Sequence, residues 1–416
     1  MIGSYLESQF IRGIIEKVSS TKLSHTQLFV AKYPVGVNSH AEAVELLLDT
    51  NSNDVLIVGI HGMGGIGKTT IAKAVYNRIA YRFEGSSFLD NIREHSRTND
   101  GLIQVQETLL HDISGDRKLK VSSIHKGIEV IINRLRLKRV LLILDDVDKS
   151  NQIDYLLEKC DWFAPGSRII ITTRDKHVLT TFGKGSLMYK VNEMGPDDAK
   201  ELFIQHAFGT NKPETTYWQL AEKIICFAYG LPLALQIIGS DLCGRSLLEW
   251  ESALKKYEKI PNKEILEILK ISYGGLDQTE QDIFLDIACF LKGREKDFVL
   301  SILEACNLYP NFGIPKLIDK CLITVDQYDI LSMHDLVEQM GKEIALQESQ
   351  VPGKHTRIWQ YEDARNVLIG NTVQVLPFHF FSFFNRAKEM NIFFIKVGEI
   401  KVLNILFLYN YKIVIF

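Results

Sequence analysis

Residues 62–69 read Gly62-Met-Gly-Gly-Ile-Gly67-Lys68-Thr69, and this octapeptide restricts the fold more than any other feature of the chain. It follows an apolar stretch at 55–60 and opens a stretch at 68–79 with helical spacing, the strand–loop–helix context that a phosphate-binding loop requires. The glycines let consecutive backbone N–H groups curl around phosphate, Lys68 offers a point charge, and the Thr69 hydroxyl can ligate Mg²⁺. The candidate binding set here is Gly62, Gly64, Gly65, Ile66, Gly67, Lys68, Thr69 and Thr70.

A second apolar run, Leu141-Leu-Ile-Leu-Asp145-Asp146, ends in two acids. Asp145 is expected to hold Mg²⁺, and Asp146 is placed to polarise an attacking water, although acids also close strands for structural reasons alone. A third run, Ile169-Ile-Ile-Thr-Thr, is followed by Arg174, which can reach a γ-phosphate or can be a solvated strand-end arginine.

Short apolar runs separated by helices of ten or more residues predict a parallel sheet with helices on both faces. Past about residue 192 the strand signal fades. Helical spacing, with Pro196 at a first turn and breaks at Gly230 and Pro232, predicts a helical bundle at 192–262. Four further helices and two short apolar stretches near 322–325 and 330–333 predict a winged-helix domain at 263–372. The expected organisation is therefore a helix and linker at 1–33, an α/β P-loop NTPase domain at 34–191, the bundle, the winged helix, and a Phe-rich, poorly ordered tail at 373–416, in which no period holds.

Composition narrows the function. At 416 residues the chain exceeds what a single core usually organises, roughly 250–300 residues. Its formal net charge of -3 gives no overall field to recruit nucleic acid, so no direct nucleic-acid partner is expected. The six cysteines form no C-x-x-C pair and no zinc spacing. No apolar run is long enough to span a bilayer, and a cytoplasmic or nuclear location is expected. Guanine specificity is not expected, because Asn211-Lys212-Pro213-Glu214 lacks the closing Asp of N-K-x-D and follows no strand.

The motifs, in order, resemble the NB-ARC module of plant intracellular immune receptors, of the subclass with an N-terminal Toll/interleukin-receptor (TIR) domain and C-terminal leucine-rich repeats (TIR-NBS-LRR). The resemblance spans about residues 5–372 and rests on Val35-Gly36, the glycine loop through Thr70, Phe88-Leu-Asp-Asn-Ile-Arg93, Leu142-Ile-Leu-Asp-Asp-Val-Asp148, Gly166-Ser-Arg-Ile-Ile-Ile-Thr-Thr-Arg-Asp175, Gly230-Leu-Pro-Leu-Ala-Leu235, Phe284-Leu-Asp-Ile-Ala-Cys-Phe290 and Met333-His-Asp335. It implies that the backbone near Val35 and Gly36 holds adenine, that Pro232 packs on the nucleotide, and that His334 reaches the β-phosphate of ADP. Taken alone, Pro232 reads as a helix break and His334 as a surface or cap residue. Residues 6–18 resemble only the helix that joins the Toll-type domain to such a module, and no repeats follow, so neither NAD cleavage nor ligand sensing is expected of this chain.

The resemblance implies a switch governed by ADP or ATP with Mg²⁺, at most slow hydrolysis, and self-association or binding to full-length immune receptors. Two rivals stand beside it: an ATPase with useful turnover, and a truncated adaptor that binds full receptors.

Overall fold

The computed structural model describes residues 27–116, 118–158, 163–182, 185–209, 214–259 and 262–347, and beyond them the strand segments 357–358, 379–381, 392–397, 400–409 and 412–415. The helix expected at 6–18 lies outside these residues, as do Cys160 and most of the 211–214 segment. The chain divides into two compact units. Gly230–Leu247 belongs with the part that runs up to Cys226, and Phe227–Tyr229 belongs with everything from Leu248 onward.

The first unit is built on a five-stranded, wholly parallel sheet of β1 (Leu56–His61), β2 (Gly85–Leu89), β3 (Val140–Val147), β4 (Arg168–Thr173) and β5 (Leu187–Lys190), in spatial order β2-β3-β4-β1-β5. Strand β4 is thus inserted between the strand that feeds the glycine loop and the strand that carries the two acids. β4 is buried along its whole length and β3 at all but Asp146. That is why these strands read as continuous apolar runs: helices cover both faces and leave no polar side to alternate with. Helix starts between them carry conventional caps, Thr98 accepting from Gly101 N and Ser123 accepting from Lys126 N. The α/β P-loop architecture expected from the sequence is the one observed.

Sequence periodicity did not locate the helix Val37–Leu48, the helices Ser150–Leu157 and Lys176–Phe182, or β5. β5 is short and its four residues are all at least partly exposed, so it has neither a buried run nor a clear alternation to show. Arg168, at the head of β4, is fully buried and donates to the carbonyls of Leu48, Asp49, Ser52 and Asp54. Those carbonyls belong to the turn between the first helix and β1, so one guanidinium sets where β1 begins. Helices Pro196–Phe208 and Pro232–Leu242, with Thr215–Ala228 as far as Cys226, complete the helical part of this unit.

The second unit contains helices Lys263–Gly274, Gln278–Asp286, Lys296–Ala305 and Pro310–Asp319, the antiparallel pair Thr324–Val325 and Leu331–Ser332, and the helix Asp335–Gln347. This is a winged-helix arrangement. Asp277 and Glu280 form a reciprocal capping box at the second helix, which then loosens into a π turn at Ile287–Leu291. The fourth helix starts five residues earlier than Pro315 alone suggests, because Pro310 occupies its first turn, where a missing N–H costs nothing.

Where the sequence shows no regular period, the structure has the antiparallel strands His379–Phe381, Ile392–Val397, Ile400–Tyr409 and Lys412–Ile415. Ile392, Phe393, Phe394 and Ile395 are consecutive apolar residues, and such a run lacks the period of two that marks a half-buried strand. Among the described residues no helix is long and apolar enough to cross a membrane.

Candidate functional site

Parallel pairing brings the carboxyl ends of all the strands to one edge of the sheet, where ligands of open α/β folds bind. Ile60 is level with Thr172 and His61 with Thr173, and Leu144 is level with Ile171. The glycine loop, Asp145, Asp146 and Arg174 therefore leave the sheet together, although 112 positions separate Gly62 from Arg174 in the sequence.

Within the loop, Gly65 has φ +80° and Gly67 φ +100°, a region that L side chains rarely adopt. A Cβ on Gly65 would also lie 2.7 Å from Leu233 Cβ, because the Leu233 amide donates to the Gly65 carbonyl at 3.2 Å. The Lys68 side chain is buried, and its ammonium donates to the carbonyls of Gly62 and Met63, both at 2.8 Å. Lys68, Thr69 and the half-buried Thr70 form the first turn of the helix Lys68–Ile79, whose leading N–H groups have no intrahelical acceptor. Ile66 is buried beneath the loop.

Thr69 Oγ1 donates to Asp145, 2.9 Å from Oδ1 and 3.0 Å from Oδ2, and Thr172 Oγ1 donates to Oδ1 at 2.6 Å. Burial pushes the Asp145 carboxyl above the usual range; the two hydroxyl hydrogen bonds oppose that shift, and the neighbouring Asp146 charge adds to it. A buried carboxylate hydrogen-bonded by threonine hydroxyls is a set of hard oxygen donors, which suits Mg²⁺.

Asp146 faces different partners from its neighbour. The β3–β4 register breaks between Leu144 and Val147, and Asp146 sits in that irregularity with φ +59°. Its carboxylate accepts from Arg93 Nε at 2.8 Å and from Arg174 Nε at 3.3 Å. Burial alone would raise its pKa, but the two guanidiniums outweigh burial and hold it below the usual carboxylate range. Sequence reasoning quoted Arg93 within a motif and gave it no role, and it missed Thr172 as a partner of Asp145. The threonine pair before Arg174 was the available signal for Thr172; no local signal points from Arg93 to Asp146.

The loop edge is also electropositive. His61, the last residue of β1, is held at a pKa of about 4, first by burial and then by Lys176, Lys190 and Lys68. A neutral imidazole among three lysines leaves a cationic field with no ring charge of its own. Helix N–H groups that lack intrahelical acceptors, a buried ammonium and this field fit an anionic polyphosphate.

The second half of the expected set is partly gathered at the same place. The Val191 amide donates to the His61 carbonyl, Met194 N to Gly230 O, and Leu233 N to Gly65 O, so Pro232, which opens its helix, stands next to the glycine loop. The half-buried Val35 precedes Gly36, which caps the helix Val37–Leu48 with φ +70° and is packed against Asp198. His334 belongs to the second unit. There its Nε2 lies 3.2 Å from the Tyr229 carbonyl, with the Tyr229 ring edge-on to it.

Two domain families match the chain: the NB-ARC domain over residues 37–212, and the winged-helix domain of disease resistance protein Roq1-like over residues 277–349. The disease resistance protein RUN1 of Vitis rotundifolia is 43% identical over 364 residues, covering 87% of this chain and 27% of that protein. The TMV resistance protein N of Nicotiana glutinosa is 40% identical over 373 residues, covering 88% of this chain and 32% of that protein. The chain thus spans about a third or less of the relatives it matches. Among solved structures, the Walker-type ATPase of Pyrococcus abyssi shares the fold with a TM-score of 0.50 at 13% identity, covering 73% of this chain and 95% of that one.

Proposed function

The chain belongs to the NB-ARC disease-resistance proteins of the TIR-NBS-LRR subclass, and from that premise we propose that it is an ADP/ATP-binding switch in plant immune signalling. The observation that carries this reading is the convergence of the Lys68 ammonium, the Thr69–Asp145 pair and the Asp146–Arg174 pair at one edge of the sheet. In the proposal, Gly62, Gly64, Gly65, Ile66, Gly67, Lys68, Thr69 and Thr70 hold the phosphates, and Thr69 with Asp145 holds Mg²⁺. Val35 and Gly36 hold the base, Pro232 packs on the nucleotide, and Arg174 attends the terminal phosphate. His334, which the family resemblance assigns to the nucleotide, is the second unit's proposed responder to nucleotide state. Bound Mg²⁺ would neutralise phosphate charge; the remaining work falls to the chain's own residues.

Hydrolysis is proposed to be slow. A base must take a proton from water, and Asp146 is engaged by two guanidiniums that lower its basicity. Steady-state phosphate release on the order of one per minute or less is expected, and markedly faster release favours the ATPase reading. Full switching needs a differential of roughly 5 kcal/mol between states, so a partner, a second copy or a full-length receptor contributes in this proposal.

The test is the nucleotide that copurifies with the full chain. Near-stoichiometric ADP is expected after gentle purification, and none from Lys68→Ala. Tight ADP retained by Lys68→Ala, or a wild-type chain that neither carries nor takes up adenine nucleotide, overturns the reading.

A further inference from the structure

Arg93 is given no contact with the nucleotide in the proposal above, yet it makes the shorter of the two arginine contacts to Asp146. One carboxylate bridges two guanidiniums brought from different elements, the short helix Ile92–His95 and the segment after β4. The side chains of Arg93, Asp146 and Arg174 are only 15%, 15% and 18% exposed. Two cations this close repel strongly where solvent is scarce unless an anion lies between them. Asp146 supplies the one carboxylate that contacts both guanidiniums, and the buried Asp145 adds a weaker pull on Arg174. Glu94 lies 3.5 Å from Arg93 but is 43% exposed, and so compensates weakly.

The backbone supports a dedicated arrangement. Asp146 occupies the left-handed region at a break in strand register, a conformation that costs energy for a non-glycine residue and is tolerated best by Asp and Asn. Its amide is tied down by Thr172 Oγ1 at 2.9 Å. Without the register break, Asp145 and Asp146 would point to opposite faces of the sheet. With it, Asp145 meets Thr69 while Asp146 meets the arginines, and both remain close enough to Lys68 to feel its charge.

We infer that Arg93 and Arg174 form a paired-arginine subsite for the terminal phosphate of a nucleoside triphosphate, with Asp146 as the internal anion that holds the pair when that phosphate is absent. Arg93 is then a specificity-determining residue that separates ATP from ADP. The inference rests on the nucleotide-binding reading. A terminal phosphate carries more charge than a carboxylate and has three oxygens, enough for two planar guanidiniums to bind it with paired hydrogen bonds. A diphosphate lacks that group and leaves the carboxylate where it is.

The experiment is calorimetric titration of nucleotide-stripped full chain with ATP and with ADP, both with Mg²⁺. Arg93→Ala is expected to weaken ATP roughly tenfold or more and ADP by less than about twofold, the loss of a charge-assisted contact in one complex only. Arg93→Lys should fall between, because a point charge replaces a fork. Asp146→Asn should raise the ratio of ATP to ADP affinity severalfold by removing the competitor. Equal losses for both nucleotides in Arg93→Ala, or an unchanged ratio in Asp146→Asn, overturns the inference while leaving nucleotide binding intact. If Arg93→Ala fails to fold, Arg93→Lys and Asp146→Asn, which keep polar partners and volume, decide the matter. A wild-type chain that binds neither nucleotide defeats the broader reading, and that result is distinct from the other two.

Discussion

The hydroxyl of Thr69, in the first turn of the helix after the glycine loop, donates to the Asp145 carboxylate at the end of β3, 2.9 Å from Oδ1. This contact spans 76 positions of sequence and joins the phosphate loop to the acid strand across β4. It is satisfied in geometry but strained in charge, since Asp145 is 3% exposed and has hydroxyls, not cations, as its hydrogen-bond partners.

Asp145→Asn is therefore expected to stabilise the nucleotide-free, EDTA-treated protein by about 1 kcal/mol, because the amide keeps an acceptor for the hydroxyls and removes a desolvated charge. The same variant should lose the Mg²⁺ dependence of nucleotide binding. Thermal unfolding with and without Mg²⁺-nucleotide checks both. A variant less stable than wild type in EDTA would mean that the buried charge costs nothing there.

His61 gives a second expectation, with a definite sign. Its pKa in the folded protein is lowered from 6.5 to about 4, so below pH 6.5 the unfolded chain binds a proton that the folded one refuses. Stability contributed by the neutral ring is present above pH 6.5 and is lost as pH falls toward 4. The loss should reach about 1–2 kcal/mol after allowance for solvent screening. His61→Gln should flatten this part of the profile in urea unfolding series at stepped pH; an identical slope in the variant would assign the pH dependence to other groups.

Which parts of this site were legible in the sequence follows from how far each signal reaches. Lys68, Thr69 and Asp145 stand at fixed offsets from an apolar run and a glycine cluster, so strand, turn and helix are all written within a few residues. Arg93 and Asp146 are 53 positions apart, and their meeting depends on a register break and a left-handed backbone that no local pattern encodes. Pro232 reads only as a helix break until the Leu233–Gly65 hydrogen bond sets it beside the loop. In the second unit the hairpin was visible from its short apolar stretches. The π turn at Ile287–Leu291 was not, because its residues are as apolar as the helix before them.

Lys292 shows the same long reach in the second unit. Its ammonium is shared by Asp335 and Glu338, which lie three positions apart and so on one face of the helix Asp335–Gln347. Burial disfavours the charges of Lys292 and Glu338, yet the hydrogen bonds from Lys292 and Lys342 hold Glu338 below the usual carboxylate range. Lys292→Met is expected to destabilise this unit by about 1–2 kcal/mol, less than a fully buried pair, because all three side chains keep some exposure to water. Asp335→Val should loosen the unit for the same reason and because it removes an acid from a helix first turn. Chemical denaturation of the single and double variants tests the coupling: additive losses would mean that the contacts are independent.

Arg357 offers the sharpest stability test. It is 2% exposed, and its guanidinium donates to Asp286 at 2.7 Å and Asp282 at 2.8 Å. Asp286 is itself 5% exposed, so the pair lies where an uncompensated charge is expensive. The helix Gln278–Asp286 presents the two acids four residues apart, one turn above the other, and one planar fork satisfies both. Replacing the arginine strands two carboxylates, one of them buried, and breaking such a pair costs about 3–5 kcal/mol. Arg357→Leu is accordingly expected to lower the unfolding free energy of the second unit by about 3 kcal/mol, with the first unit's nucleotide affinity unchanged. Arg357→Leu combined with Asp286→Asn should recover a large part of that loss, since the buried charge then disappears along with its partner. Guanidinium unfolding followed by a probe in the second unit distinguishes the cases. No recovery in the double variant would mean that Arg357 contributes by packing alone, and that the ion pair is incidental to the fold.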